Sequence, residues 1–219
     1  MSISALRSAR CIFSVMAVTV FSALLLVGCG KDDDDGDGKG NNIRNYRTVK
    51  IGNQTWMAEN LDYDVEGSKC YDNDPANCAK YGRLYTWDAA RKACPAGWHL
   101  PTFVEWTTLM DYVGSTTAGK NLKSTSGWDE SGGKNGNGTD DHGFTALPGG
   151  NAYYEVDDES VKDCSNGCFS DAGEYAYWWS DTEYDTDNAY DLAINNSVEH
   201  VLDYISEIRN LKSARCVQD

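Results

Sequence analysis

Eight cysteines in 219 residues limit the folds open to this chain more than any other feature. Cys11 and Cys29 lie within and just after an apolar leader. The other six, Cys70, Cys78, Cys94, Cys164, Cys168 and Cys216, lie in the body of the sequence. An even set of cysteines in an exported domain reads as a disulfide framework, a structural device and not a reactive one. Proximity favours Cys70–Cys78 and Cys164–Cys168 as short staples and leaves Cys94 for Cys216, but spacing alone keeps other pairings open. The Cys-x-x-Cys spacing of redox catalysts is absent. "CSNGC" has a spacing that zinc accepts but lacks a second ligand pair of the same kind.

Export is read from the first residues. Arg7 and Arg10 precede "CIFSVMAVTVFSALLLVG", a run without charge that is long enough to span a bilayer. It ends in "LVGC", which resembles a bacterial lipobox. That resemblance implies cleavage after Gly28, making residues 1–28 a signal peptide, and acylation of Cys29. Two or more acyl chains hold a protein stably on a membrane where one does so only marginally. Residues 29–45, with "GKDDDDGDGKGNN" at their centre, offer almost nothing apolar to bury and read as a flexible acidic tether. "CGKDDDD" also resembles an export tag that places lipoproteins on the outer face of the outer membrane. The expected location is therefore the cell surface, lipid-anchored to the outer membrane.

Charge narrows the partners. The chain carries 34 acidic and 19 basic residues, a formal charge of −15. Such a surface excludes nucleic acid as the natural partner and is repelled by anionic lipid, so membrane attachment falls to the acyl chains.

Residues 46–219 read as the folded domain. "YRTVKIGNQTWMAENL" alternates and turns at Gly52-Asn53, a β-hairpin. Residues 61–82 read as a turn-rich excursion. Residues 83–94 read as a short strand running into a helix, and residues 101–114 as a second helix. There Thr102 and Glu105 have capping-box spacing, and Trp106, Leu109, Met110 and Val113 repeat at helical spacing up to Gly114. Residues 124–143 form a long Gly/Asn/Ser loop, 144–150 a strand entering a turn, and 151–176 a second loop-rich stretch. "EYAYWWSDTEYD" centres on a strand with Tyr177 and Trp179 on one face and Trp178 on the other. Residues 189–196 and "SARCV" read as further strands.

"CPAGWHLPTFVEW", residues 94–106, holds His99, one of only three histidines, close to Glu105. A catalytic histidine needs a positioned nucleophile or carboxylate. With no Gly-x-Ser-x-Gly elbow in the chain, and with Glu105 suited to capping a helix, His99 reads as structural or surface-exposed. No pair of carboxylates is marked for glycoside hydrolysis.

"TVKIGNQTWMAENL", "KYGRLYTWDAARKACPAGWHLPTFVEW", "GFTALPGG", "YWWSDTE" and "SARCVQD" occur in that order. Together they closely resemble the Fibrobacter succinogenes major paralogous domain over about residues 46–219. The first-helix region is also distantly similar to C-type-lectin-like domains. "GFTALPGG" and "ARCV" resemble the formylglycine-generating enzymes. The resemblance implies an α+β, C-type-lectin-like fold with two helices, twisted antiparallel strands and long loops, disulfide-stapled, and it agrees with a Cys94–Cys216 bridge. The lectin Trp-Asn-Asp calcium triplet is absent. The nearest oxygens, Asp181, Glu183, Asp185, Asp187 and Asn188, are candidate calcium ligands, and a solvated acidic loop is the competing reading. The paired catalytic cysteines of the formylglycine-generating enzymes do not carry over. The expected activity is therefore non-enzymatic, with no required cofactor: a glycan or a surface protein bound on a loop face. Trp128, Tyr153, Tyr154, Tyr175 and Tyr184 are the candidate contacts.

Overall fold

The computed structural model describes residues 45–153 and 168–219. It is an α+β structure with twelve short strands and four α-helices among the described residues. The opening hairpin is as expected. β1 (Thr48–Ile51) pairs antiparallel with β2 (Gln54–Met57), and Gly52 takes the positive φ of 60° that the turn needs. β3 (Ser68–Lys69) and a 3₁₀ turn (Tyr71–Asn73) lead to α1 (Pro75–Tyr81), which the sequence reading passed over as turns. Local signals were present for it: Asp74 accepts the N–H of Ala76, and Pro75 opens the first turn. β4 (Leu84–Tyr85) runs into α2 (Trp87–Ala93), capped by Thr86.

β5 (Trp98–His99) precedes α3 (Phe103–Val113), where the Thr102/Glu105 capping box forms in full. Trp106, Leu109 and Val113 are buried along its inner face, and Gly114, at φ 98°, ends it. α4 (Ala118–Leu122), a single short turn of helix, was not expected. The sequence predicts two helices and four are present among the described residues; α1 and α4 are too short to show an apolar period. The stretch 144–150 is not a strand into a turn. Ala146 makes one isolated bridge to Lys123, and the strand begins later, as β6 (Gly149–Tyr153). β6 pairs with β7 (Cys168–Ala172), so the expected loop at 151–176 has a β-hairpin framing it. β8 (Tyr175–Glu183) and β9 (Asn188–Asn195) form the longest pairing, and β10 (Leu202–Glu207) lies on the far edge of β9. β11 (Lys212–Ser213) and β12 (Val217–Gln218) close the chain.

The strands build two sheets. One runs β1-β2-β12-β5, and the other runs β10-β9-β8-β11-β4-β3, with β6 joining β8 in parallel. β8 divides the interior. Trp178 enters an aromatic core with Trp56, Trp106 and Phe144, whose ring centroids lie 4.8 to 6.1 Å apart. Trp179, one residue on, enters a second core with Met57, Leu61, Tyr85, Trp87 and Leu100. This is the face alternation expected of the strand, and both sides are dry. Burying an aromatic side chain stabilises by roughly 2–3 kcal/mol, and a buried indole N–H usually keeps a partner; among the described residues Trp106 Nε1 has none. Trp178 donates to Asn60 Oδ1 at 2.9 Å, Trp179 to the Tyr85 carbonyl at 2.8 Å, and Trp87 to the Ser180 carbonyl at 2.7 Å.

The disulfides Cys70–Cys78 and Cys94–Cys216 are formed. Cys168 is also disulfide-bonded, with its partner outside the described residues, as is Cys164. Cys94–Cys216 joins the end of α2 to the segment entering β12 and closes a separation of 122 residues; Cys70–Cys78 closes only 8. Loop-closure entropy then gives the long bridge roughly 5 kcal/mol and the short one roughly 2.5 kcal/mol. In urea unfolding, the paired change Cys94→Ala/Cys216→Ala is expected to lower stability about twice as much as Cys70→Ala/Cys78→Ala.

Candidate functional site

A cavity of about 490 Å³ opens between the segment before β1, the segment after β2, the end of α1 and the Thr145–Leu147 stretch. Arg47, Glu59, Asn60, Asp62, Lys80 and Thr145 supply its polar groups, and Tyr46 and Tyr81 its rings. Nearly every contribution comes from loops or element ends, which strands and helices on either side hold in place. The volume falls in the range usual for small-ligand sites.

The wall behind this cavity is a polar hub inside the aromatic core. Arg215 is 1% exposed. Its guanidinium donates to Asn60 Oδ1 from Nε at 3.0 Å and from Nη2 at 2.7 Å, and from Nη1 to the Phe144 carbonyl. It also lies 4.1 Å from the centroid of the Phe144 ring. Asn60 accepts in addition from Trp178 Nε1 and donates to the Tyr81 carbonyl at 2.9 Å and to Ser213 Oγ at 3.3 Å. Arg215 makes no ion pair among the described residues. Burial pushes its pKa down to about 9, against the pull of Asp140 and Glu59, so it remains a cation at neutral pH. Asn60 is consumed on both ends of its amide and is therefore fixed in orientation.

Two backbone features shape the cavity lip. Thr145 sits at φ 54°, a conformation that β-branched residues rarely adopt and that costs on the order of 1–3 kcal/mol. Asp140 holds it there, accepting from the Thr145 N–H and hydroxyl at 2.7 Å each. Gly82, at φ 79°, packs so closely on Asn60 and Leu61 that an added Cβ would stand 2.7 Å from Asn60 Cβ. On the rim, Arg47 pairs with Glu59, Tyr46 donates to Asp62 at 2.9 Å, and Lys80 lies over Tyr81. Two cations thus face two carboxylates, a balanced patch on a strongly acidic chain.

The candidate contacts read from the sequence scatter. Trp128 is corrected to a core residue: it is 5% exposed, and its indole donates to Ser124 Oγ at 3.1 Å and the Ala146 carbonyl at 3.0 Å. Its loop folds inward because the apolar ring gains more from the core than from water. Tyr153 is exposed at the end of β6, and Tyr175 is half-buried, stacked on Tyr177 at 5.4 Å. Tyr184 is exposed at the far end of β8–β9, edge-on to Tyr190. Tyr154 and Cys29 lie outside the described residues. The five acidic-loop oxygens serve other partners or stand apart. Asp181 pairs with Arg91 at 2.5 Å, and Asp185 accepts from the Asp187 N–H and Asn188 Nδ2 at 2.9 Å each. Among the described residues, no three acidic, histidine or cysteine side chains are grouped to hold a metal.

His99 is a clamp. Protonated, it donates from Nδ1 to Asp219 Oδ1 at 2.7 Å and from Nε2 to Glu105 Oε1 at 2.8 Å. Burial works against its charge, but the bonds to Asp219 and Glu105 prevail and raise its pKa. Burial likewise raises Glu105, but the Thr102 N–H and His99 outweigh this and hold it below the usual range.

Glu59 and Asn60 of the cavity stand in "WMAENL", Thr145 and Leu147 in "FTALPGG", and Arg215 of the hub behind it in "SARCV", segments that read from the sequence as hairpin, strand into turn and closing strand. The local signal is Arg215 set between Ala214 and Cys216, in the segment that joins β11 to β12.

Two stability changes follow from these contacts. Arg215→Lys leaves the Asn60 and Phe144 acceptors poorly matched inside the core and is expected to cost about 3 kcal/mol or more in urea unfolding. The His99 contribution has a pH window. With its folded pKa raised, it is complete below about pH 6.5 and fades as pH climbs through the folded value. With Glu105 lowered, its share is complete above about pH 4.5 and fades as pH falls through its folded value. His99→Gln is therefore expected to cost most between about pH 5 and 6.5 and less at pH 8. The loss is at most about 1 kcal/mol, since all three groups are partly in water.

Nothing among the curated proteins or the solved structures matches the chain. A family described as the Fibrobacter succinogenes major domain matches residues 49–218. That span takes in all but the first residue of the hairpin, the four helices described, both sheets and the cavity lining other than Asn45, Tyr46 and Arg47. The chain therefore belongs to the Fibrobacter succinogenes major domain family.

Proposed function

We propose that this chain is a surface-displayed lipoprotein whose domain binds a neutral glycan, without catalysis, in the loop-lined cavity. The observation that carries this reading is the cavity itself. Fixed planar polar groups, two tyrosine rings and balanced charges suit a ligand rich in hydroxyls and free of net charge. Such a ligand needs donors and acceptors held in place, because a mismatched polar group in a partly dry site loses more than it gains. The Arg215–Asn60 hub supplies that rigidity from behind, and Asp140 supplies it at the lip. A C-type-lectin-like arrangement is part of the proposal, supported by the bridge from the end of α2 to the segment entering the last strand and by the long irregular segment at 124–143. The leader and tether fall outside the described residues, so placement on the outer membrane rests on the lipobox-like "LVGC" and the acidic run after it. Among the described residues no helix is long and apolar enough to cross a membrane.

The test is retention of the purified chain on insoluble neutral polysaccharides, with and without chelator, followed by calorimetry with soluble oligosaccharides. Retention without release of sugar is expected, and chelator is expected to leave it unchanged. Asp62→Ala and Lys80→Ala are expected to weaken binding at least about tenfold, or ~1.4 kcal/mol. Sugar release would favour a polysaccharide-modifying enzyme instead, and no retention at all a structural coat protein. Full retention by both variants would move binding away from this cavity.

A further inference from the structure

A lysine and an aspartate share a dry compartment whose residues do not line the cavity. Lys212 in β11 and Asp191 in β9 flank the central strand β8. Their side chains are 3% and 0% exposed, and Nζ stands 2.6 Å from Asp191 Oδ2. The ammonium also faces two aromatic rings, with the centroids of Tyr177 at 4.7 Å and Trp179 at 5.2 Å. Tyr177 closes the compartment and donates its hydroxyl to Asp171 Oδ2 at 3.1 Å. Asp191 Oδ1 has no hydrogen-bond partner among the described residues. A buried ion pair repays its desolvation only when the remaining protons and lone pairs are also satisfied. Here one carboxylate oxygen is bare, and the ammonium has a single carboxylate and two ring faces. Burial lowers the pKa of Lys212, against the charges of Asp191 and Asp171, and so favours the uncharged, nucleophilic amine.

We propose that Lys212 and Asp191 condense after folding into an intramolecular isopeptide bond. The Nζ lone pair attacks Asp191 Cγ, a C–N bond forms and one Cγ–O bond breaks. The departing oxygen leaves as water, carrying two of the three ammonium protons, and the third stays on the amide nitrogen. Nothing is oxidised or reduced, and no co-reactant is needed. In bulk water the reverse reaction is favoured. In this compartment the partners are held in contact, which replaces a bimolecular encounter. Condensation also removes two charges that the low-polarity surroundings destabilise. The product ties β9 to β11 across β8 with a bond that, unlike the disulfides, survives reduction.

The experiment is tryptic peptide mapping of the full chain after denaturation, reduction and alkylation. The expected result is a branched peptide that joins the Lys212 and Asp191 segments, lighter by one water than the two linear peptides together and uncut after Lys212. Lys212→Arg and Asp191→Ala are expected to give linear peptides only. Because the decisive readout is taken on the unaltered chain, misfolding of either variant does not obscure it. Linear peptides with cleavage after Lys212 in the unaltered chain would overturn the proposal. So would a water loss that maps to Asp35–Gly36 or Asp37–Gly38, which would be an aspartyl succinimide.

Discussion

The structure is organised around a guanidinium buried without a carboxylate partner among the described residues. Arg215 carries its charge into the interior, where an isolated cation is costly unless its donors find acceptors. Asn60 and the Phe144 carbonyl between them accept from all three guanidinium nitrogens, three of its five N–H groups, and the Phe144 ring receives the flat face of the guanidinium. Asn60 in turn holds the Trp178 indole, the last turn of α1 and Ser213 of β11. One polar contact thus fixes the relative positions of the opening hairpin, a helix and the closing strands. It also sets the wall of the cavity, so core integrity and ligand-site shape are not independent in this fold.

Around that hub, β8 partitions the apolar material. Adjacent tryptophans on one strand point to opposite faces, and each finds a separate core and a separate carbonyl or amide partner. The Cys94–Cys216 bridge reinforces the second core, and the His99–Glu105–Asp219 clamp fastens β5, α3 and the residue after β12 at the surface. Much of the chain outside these elements is irregular. Side chains that reach back to the backbone hold it in place, such as Asp140 to Thr145 and Asn137 to the Trp128 N–H.

Features governed by nearest neighbours could be read from the sequence. The Gly52 hairpin, the capping box on α3, the strand-to-helix step at 83–94 and the alternation of Trp178 and Trp179 all follow from local period and turn chemistry. The short helices α1 and α4 escaped because one or two turns carry no measurable apolar period, and their stability comes from what they pack against. Trp128 was misjudged for a related reason. A tryptophan in a Gly/Asn/Ser-rich loop looks exposed until the loop folds back, which only the position of Ala146 reveals.

The sequence by itself determined the family, the α+β character, the short Cys70–Cys78 staple and the local elements, because each depends on residue identity or on spacings of a few residues; the Cys94–Cys216 bridge, 122 residues apart, needed the fold to bring its ends together. Tertiary structure alone decided that Arg215 meets Asn60 across 155 positions, that Lys212 meets Asp191 in a dry compartment, and that Thr145 is held in a strained lip over a cavity. Those meetings are set by how strands far apart in the chain lie beside one another. The free energy that selects them is the summed burial of two cores, which no short window of residues contains.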